Sequence, residues 1–278
     1  MTVAVCIASR GRPEELRATI AKAQASAVDP YTWFSLALDD DDDLSGYAGI
    51  AAPSEAAPRE DSLGAKYNRA VRTTTLDTTV FVLGVDDAAL VSPGWDRRLL
   101  DAAAQFKDGV GVIYWGERRG PFCLPDGIAV TRGWIEKVGY FCPEHFPFWW
   151  HDTWIDELAR MTGRFVWADV KWEKHGASEV GGHKTTRMRE VSWWARFFDA
   201  TRPQRLAKAL DMLCSLDYPE WLRSQLISEL HGTGGALRQR NSLLVEHGAQ
   251  FERDYGAEYA DDPGYDRLKR AAEEMLRQ

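Results

Sequence analysis

The 278-residue sequence lacks an excess of positive charge, a cysteine framework and any long apolar run, and each absence excludes a class of protein. The formal net charge of −8 disfavours a nucleic-acid binder that relies on a basic surface. The four cysteines are scattered without a C-x-x-C pair, which argues against a zinc site or disulfides and favours buried, reduced thiols. No stretch approaches about eighteen consecutive apolar residues, so no integral membrane segment is predicted. Arg10 and Arg12 interrupt the only early apolar stretch, so no signal peptide is expected and a cytoplasmic location is predicted.

What the chain does contain is an alternation of apolar and amphipathic segments. Apolar runs of strand length recur at residues 3–8, 33–38, 79–85, 109–115 and 165–170. Helical patterns occur at residues 14–27, 62–72, 96–106 and 152–163. Residues 48–61 are predicted to form a loop, and residues 116–150 short strands and loops. Strand, helix and strand in succession imply right-handed βαβ units, so the predicted fold class is α/β with a mostly parallel sheet flanked by helices.

The last third of the chain has a different pattern. Strand-like runs vanish after about residue 185, and residues 203–215, 219–231 and 265–278 have the spacing of amphipathic helices. We therefore expect an α/β domain over residues 1–184 and a helical C-terminal extension over residues 185–278.

Polar clusters follow three of the predicted strands. Ser9-Arg10-Gly11-Arg12 follows the first strand, Asp39 to Asp43 the second, and Asp86-Asp87 the third. In an open parallel sheet, ligands bind beyond the carboxyl ends of the strands, so the clusters should share one crevice. Carboxylates there could hold Mg²⁺ or Mn²⁺ while an arginine binds phosphate oxygens. Solvated acidic and basic loops remain an alternative, but two adjacent carboxylates after a buried strand require a compensating cation.

These segments together resemble the GT-A glycosyltransferases, especially family 2. The similarity lies in the order of Val3 to Pro13, the aspartates after the second strand, Lys66 with Asn68, and Leu83-Gly-Val-Asp-Asp87. It covers roughly residues 3 to 180 and implies a GT-A, Rossmann-like fold that binds a nucleotide-sugar donor with a divalent metal. The helical C-terminal third lies outside it.

The resemblance also implies roles for single residues in donor binding. One of Asp39, Asp40 or Asp41 would accept a hydrogen bond from the base, and Arg10 or Arg12 would lie near the base or the diphosphate. Asp87 would be a metal ligand, and Asp86 would contact the ribose or the metal. The family has Asp-x-Asp where this chain has Val85-Asp86-Asp87, so the division between the two aspartates stays open. The full set of expected donor-binding residues is Ser9, Arg10, Arg12, Asp39, Asp40, Asp41, Lys66, Asn68 and Asp86.

A second similarity to the family begins at His151-Asp152, at the start of a predicted helix that ends near Gly163. By position, Asp152 resembles the catalytic base that deprotonates the acceptor hydroxyl, which implies a single displacement with inversion. A carboxylate near a helix start is fixed by N–H groups, and a base must reach its proton. Asp152 as a simple N-cap, and Asp156 as the base, remain alternatives.

A histidine after the last predicted strand is the expected further metal ligand. Several GT-A enzymes complete the metal shell with a histidine in this region, and imidazole suits Mn²⁺. His175 is favoured over His183 because it closely follows the strand.

The sequence therefore predicts a metal-dependent transfer of a sugar from a UDP-sugar donor to a hydroxyl acceptor. A glycan, a lipid-linked sugar, a small molecule or a modified base in viral DNA could be the acceptor. Trp149-Trp150 could form an acceptor platform, since aromatic faces stack on sugar rings. For the DNA version a basic strip is needed, which Arg187, Arg189, Arg196, Arg202 and Arg205 could supply. A nucleotidyltransferase is disfavoured because the first turn has a single glycine, and a non-catalytic binding protein because Asp86, Asp87 and Asp152 are present.

Overall fold

The computed structural model describes residues 2–28, 32–50, 52, 54–117, 125–175, 189–232, 245–246, 249–250, 253 and 263–277. A first compact unit, here called the sheet unit, contains all the described strands and the first four helices. A second, the helical unit, contains the remaining helices. The predicted boundary between residues 184 and 185 lies outside the described residues and stays a prediction.

The sheet unit follows the predicted order of strands and helices. Its strands are β1 (Thr2–Ser9), β2 (Trp33–Asp39), β3 (Ser54–Ala57), β4 (Thr78–Gly84), β5 (Ala88–Leu90), β6 (Val112–Trp115), β7 (Gly127–Thr131), β8 (Phe165–Trp167) and β9 (Trp172–Lys174). Its helices are α1 (Pro13–Ser26), α2 (Leu63–Arg72), α3 (Trp95–Ala103) and α4 (Arg132–Val138), with a 3₁₀ helix at Leu44–Tyr47.

Seven strands form one sheet in the order β3-β2-β1-β4-β7-β6-β8. β7 runs antiparallel to β4 and β6, and the other neighbouring pairs are parallel. The chain passes from β1 to β2 on one side and later to β4 on the other, so the strand order reverses at β1. Crevices form at the carboxyl ends of the strands at such a reversal. β5 and β9 form a separate antiparallel pair.

The core explains why the apolar runs could be recognised as strands. Val3 to Ile7 of β1 are all buried, because α2 packs on β1 and β2 while α3 packs on β1, β4 and β6. Gly84 at the end of β4 allows close packing against β1, since a Cβ atom there would lie 2.7 Å from a methyl group of Val5. The strand run is apolar because neither face meets water.

Two local predictions were incomplete. The predicted loop at residues 48–61 contains β3, a short strand whose alternately exposed, alanine-rich sequence carries no strand pattern but which pairs with β2. The predicted strands and loops of residues 116–150 include the helix α4, which Thr131 caps by accepting a hydrogen bond from the Trp134 N–H. Both elements are too short to show a period of their own.

The helical unit contains α5 (His151–Met161), α6 (Val191–Ala200), α7 (Arg202–Ser215), α8 (Glu220–Gly232) and α9 (Pro263–Arg277). α7 packs against α5 and α8, and α6 contacts α7 and α9. Phe146, Trp194, Phe197 and Phe198 form edge-to-face and tilted ring contacts in its core. None of the described helices combines the length and the apolar character needed to cross a bilayer. Most of the aromatic residues that the structure describes in this unit thus pack against one another.

The described cysteines agree only in part with the expectation of buried thiols. Cys6 and Cys142 are buried and unpaired, and burial raises the pKa of the Cys6 thiol. Cys214 is exposed, because it lies on the outer side of α7. Cys123 lies outside the described residues.

Candidate functional site

The site lies at the carboxyl ends of β1, β2 and β4, in the sheet unit. Ser9 is the last residue of β1, Asp39 the last residue of β2, and Asp86-Asp87 form the turn between β4 and β5. Side-chain hydrogen bonds connect all three strand ends, as the sequence predicted from their parallel arrangement.

The Asp86-Asp87 turn is neutralised in part by Arg12. Arg12 Nη1 lies 2.8 Å from Asp86 Oδ1, and Arg12 Nη2 lies 3.3 Å from Asp87 Oδ2. Ser9 donates to the other oxygen of Asp86 at 3.0 Å. All three charged side chains are at most 19% exposed. Arg12 is therefore the compensating cation that two adjacent carboxylates require.

Asp39 is the centre of a second charged network. Its side chain is completely buried, and it pairs with Lys66, with Arg10 at 2.9 Å and with Arg69 at 3.8 Å. Burial lowers the pKa of Lys66, and the adjacent Asp39 opposes that shift. Arg10 also donates to both carboxylate oxygens of Asp41. These hydrogen bonds raise the pKa of Arg10 and lower the pKa of Asp41. Asp39 and Lys66 thus form a buried pair that fixes the end of β2.

Asp40 differs from its neighbours because its carboxylate makes no hydrogen bond or ion pair within the described residues. Its side chain is exposed, and its backbone N–H donates to Ala57 at 2.9 Å. Asp42 accepts hydrogen bonds from Gly11 N–H at 2.7 Å and from the Tyr47 hydroxyl at 3.0 Å. Asp43 accepts from Ser45 at the start of the 3₁₀ helix. Of the three aspartates expected to contact a base, Asp40 is the one that is open to a ligand.

Tyr47 was missed by the sequence reading, since it lies next to a segment taken as a loop. Its hydroxyl lies 3.4 Å from Ser9 Oγ and accepts a hydrogen bond from the Arg12 backbone N–H at 3.3 Å. With its bond to Asp42 it joins the first turn to the aspartate run, and burial raises its pKa. No local sequence signal indicates this role, because it depends on the fold of the 3₁₀ helix.

Asn68 is expected to face the donor, but its recorded contacts hold a loop. Its carbonyl oxygen accepts from the backbone N–H groups of Phe141 and Cys142 at 3.0 and 2.9 Å. Its amide donates to the Cys142 carbonyl at 2.8 Å. The contact of Asn68 with the nucleotide sugar stays a prediction, whereas its hydrogen bonds to the backbone of Phe141 and Cys142 hold that loop directly.

His175 lies beside the Asp86-Asp87 turn, through contacts that the sequence could not show. Its backbone N–H donates to the Asp87 carbonyl at 2.8 Å, and its Nε2 lies 2.7 Å from the Thr19 hydroxyl. That hydroxyl donates to the Asp86 carbonyl at 2.8 Å. Because a hydroxyl has one hydrogen, the Thr19 hydroxyl must accept from the ring, so Nε2 carries the hydrogen and Nδ1 is the acceptor atom of a neutral His175. His183, the alternative, lies outside the described residues.

The side chains that could ligate a metal fit a divalent cation in one specific way. Within the described residues, no group of three His, Cys, Asp or Glu side chains is arranged to hold a metal ion. Asp86 and Asp87 nevertheless converge on one cation, the Arg12 guanidinium. Mg²⁺ and similar ions are often held by one or two carboxylates with water and substrate phosphates completing the shell. The two aspartates suit that mode, and His175 as a third ligand stays a prediction.

Asp152 lies in the helical unit, as the second residue of α5. The N-cap is Trp150, so the alternative that Asp152 is the N-cap is wrong. Asp152 Oδ1 accepts from the Thr153 backbone N–H at 2.7 Å, and Oδ2 makes no hydrogen bond within the described residues. Asp156, the competing candidate, is completely buried and pairs with Arg160 at 2.8 Å. The structure therefore favours Asp152 over Asp156 as a group that a ligand can reach.

The two tryptophans before α5 lie in different environments. Trp150 is 5% exposed and adopts a left-handed backbone with φ of 72°, whereas Trp149 is 40% exposed. Trp150 packs on Phe146, and Trp149 contacts Phe148 edge-to-face. Only Trp149 of the pair therefore presents a face to solvent.

The prediction that five arginines could supply a basic strip for a DNA acceptor is wrong for Arg202 and Arg205. Arg205 is completely buried and pairs with Glu157, and Arg202 lies 3.4 Å from the same carboxylate. Arg189 pairs with an aspartate of α9, and Arg187 lies outside the described residues. Arg189, Arg202 and Arg205 thus pair with carboxylates of the helical unit, whereas Arg196 is exposed.

Comparison with solved structures shows the same fold. No protein-family model and no curated protein matches the sequence. The mannosyltransferase PcManGT from Pyrobaculum calidifontis, in complex with GDP-Man and Mn²⁺, matches with a TM-score of 0.52 and 16% identity, over 99% of this chain and 80% of that one. GalNAc-T7 with UDP, GalNAc and Mn²⁺ matches with a TM-score of 0.54 and 11% identity, over 100% of this chain and 58% of that one. S. aureus TarS 1-349 matches with a TM-score of 0.50 and 11% identity, over 99% and 92% of the two chains.

These identities are low, and the chain spans only part of some of the matched proteins, including 43% of a longer TarS chain. Likeness at this level establishes architecture rather than chemistry. The mostly parallel sheet and its flanking helices agree with the sequence-based prediction. The chain has the α/β GT-A fold.

Proposed function

We propose that this protein is a metal-dependent glycosyltransferase that moves a sugar from a UDP-sugar to an acceptor hydroxyl with inversion. The observation that carries the proposal is the Asp86-Asp87 pair at the strand reversal, bridged by one arginine and adjoining the aspartates after β2. PcManGT and GalNAc-T7 have the same fold and were determined with nucleotides and Mn²⁺, which supports this type of ligand.

The residues of the sheet unit would bind the donor. The Asp40 carboxylate is open to accept hydrogen bonds from a base or ribose, and Arg10 and Arg12 supply guanidinium groups for phosphate oxygens. Asp86 and Asp87 would hold Mn²⁺ or Mg²⁺ against the diphosphate. When bound, the metal would stabilise the negative charge that develops on the leaving diphosphate.

Asp152 would act as the general base. Thr153 N–H fixes its Oδ1, while Oδ2 is available to take the acceptor proton. The acceptor oxygen forms a bond to the anomeric carbon as the bond from that carbon to the diphosphate breaks, and the nucleoside diphosphate departs with the electron pair. Attack on the face opposite the leaving group inverts the anomeric centre. Trp149 is the exposed aromatic face nearest to Asp152 in sequence and could stack on an acceptor sugar.

A thermal-shift screen of nucleotides and nucleotide sugars, each with Mn²⁺ and with EDTA, tests the donor site. A ligand at a hundred times its Kd stabilises the native state by about 2.7 kcal/mol, so the true donor should raise Tm measurably. We expect a shift with UDP or a UDP-sugar that disappears in EDTA. No shift with any nucleotide in a folded sample would contradict the proposal. Release of pyrophosphate rather than UDP during turnover would instead indicate a nucleotidyltransferase.

A further inference from the structure

Arg12 occupies the position at which a metal ion would have to bind. One nitrogen of its guanidinium contacts Asp86 Oδ1 at 2.8 Å and another contacts Asp87 Oδ2 at 3.3 Å. The second oxygen of Asp86 accepts a hydrogen bond from Ser9. Each Asp86 oxygen therefore already accepts a hydrogen bond, and a cation that bridges Asp86 and Asp87 would meet the positive charge of Arg12.

The charge balance favours replacement of Arg12 by a divalent ion only if the displaced guanidinium finds a new partner. A guanidinium supplies one positive charge to two carboxylates, whereas a divalent ion supplies two. The divalent ion is thus the better counter-charge, but the displaced Arg12 would lose its partners. Asp39 and Asp41 already pair with Arg10, Asp42 accepts from Gly11 and Tyr47, and the exposed Asp40 carboxylate makes no contact with Arg12 within the described residues. A ligand that brings a doubly charged anion therefore offers Arg12 the stronger new partner.

We infer that Arg12 is the resident counter-cation of Asp86-Asp87 and competes with the divalent metal for them. A nucleotide diphosphate relieves this competition by giving the guanidinium an alternative partner, with two phosphate oxygens in a fork that matches its own. Metal affinity is then low in the absence of nucleotide and rises when nucleotide binds. By linkage the metal raises nucleotide affinity by the same factor, and such couplings are typically about 5–150-fold. This inference rests on the proposed metal site.

Mn²⁺ binding to the nucleotide-free protein, measured by electron paramagnetic resonance of the free ion, tests the competition directly. We expect Arg12→Gln to tighten Mn²⁺ binding by about 5-fold or more, within the range of such couplings. Arg10→Gln is the matched control, because it removes the same charge from the same turn. Arg10 pairs with Asp39 and Asp41 rather than with Asp86 and Asp87. We expect Arg10→Gln to change Mn²⁺ affinity by much less. Arg12→Lys keeps the charge without the fork and should bind Mn²⁺ with an affinity between those of the wild type and Arg12→Gln.

The same titrations with saturating UDP separate the two levels of the argument. We expect UDP to tighten Mn²⁺ binding more in the wild type than in Arg12→Gln, since only the wild type has a guanidinium to relocate. Equal Mn²⁺ affinity of the wild type and Arg12→Gln, or equal effects of Arg12→Gln and Arg10→Gln, would overturn the competition and leave the metal site in place. Absence of Mn²⁺ binding in every variant, with and without UDP, would overturn the metal site and the competition together. If Arg12→Gln does not unfold cooperatively, the comparison of Arg12→Lys with the wild type decides in its place.

Discussion

The buried ion pair between Glu157 of α5 and Arg205 of α7 should be a main determinant of the stability of the helical unit. Their side chains are 2% and 0% exposed, and Arg205 Nε donates to a Glu157 oxygen. Arg205 also donates to Thr201 Oγ1 at 3.0 Å and to the Phe198 carbonyl at 2.7 Å. Burial lowers the pKa of Arg205, and Glu157 opposes that shift. Within the described residues, Glu157 is the carboxylate that pairs directly with this guanidinium.

Glu157→Gln keeps the size of the side chain but removes that counter-charge. Leaving one member of a buried pair uncompensated costs about 3–5 kcal/mol. For a chain of this size each kcal/mol lowers Tm by about 2–4 °C, so we expect a loss of roughly 10 °C. Arg202, whose side chain is 15% exposed, loses its contact with the same carboxylate, which adds to the cost. Thermal and urea denaturation followed by tryptophan fluorescence would measure the change.

A surface pair in the sheet unit provides the control for this experiment. Arg97 and Asp101 lie 3.4 Å apart on α3 with side chains 67% and 69% exposed, so Asp101→Asn should cost no more than about 0.5 kcal/mol. The double substitution Glu157→Leu with Arg205→Met removes both charges and should recover much of the stability that Glu157→Gln loses. A loss below about 1 kcal/mol for Glu157→Gln would refute the reasoning, since it would mean that Arg205 finds water or another acceptor without Glu157.

Three further outcomes follow from the site and the helical unit. Asp87→Asn should weaken Mn²⁺-dependent UDP binding, because an amide is a poorer ligand for a hard cation. The control Asp101→Asn, at an exposed position, should not weaken it. Unchanged metal-dependent UDP affinity of Asp87→Asn in calorimetry would remove Asp87 from the metal site. Asp152→Asn should preserve donor binding but lower kcat by about 10² or more, and wild-type turnover would place the base elsewhere. Burial lowers the pKa values of His145 and His151, so the folded state binds fewer protons than the unfolded state below the ordinary histidine pKa of about 6.5. Stability should therefore fall as pH is lowered from about 6.5, by up to about 1.4 kcal/mol per pH unit for each histidine, and equal urea midpoints at pH 7.5 and 5.5 would contradict this.

The fold was predictable because its evidence is local and repeated. A strand buried on both faces must be continuously apolar, and β1, β2 and β4 each show such a run followed by charged residues. Once the strands are parallel, their carboxyl ends lie at one edge of the sheet, so the meeting of Ser9, Asp39 and Asp86 follows from topology. β3 and α4 were not predictable in the same way, because four and seven residues cannot display a period and depend on their neighbours.

The different environments of Asp39, at the end of β2, and of the four aspartates that follow it depend on distant residues. All five are identical in sequence and differ only in what the fold places beside them. Asp39 is the last residue of β2 and points among Lys66, Arg69 and Arg10, which come from two other elements. Asp40 lies in the turn just beyond β2 and is exposed. The sequence could identify this run of aspartates as a candidate ligand site. Only the tertiary structure could distinguish the aspartate in a buried ion pair from the aspartate that is available as an acceptor.

The start of α5 shows how backbone conformation decides which side chain can meet a ligand. A left-handed conformation costs a non-glycine residue about 1–2 kcal/mol, and a large aromatic residue is an unusual choice for it. Trp150 adopts it with φ of 72°, and its ring is buried against Phe146. The sharp change of direction leaves Trp149 exposed one residue before the helix N-cap and places Asp152 in the first helical turn. Packing of the Trp150 ring thus compensates the strained turn. The turn brings an exposed aromatic face and a carboxylate with an open oxygen to the same end of one helix, as the proposed acceptor site requires.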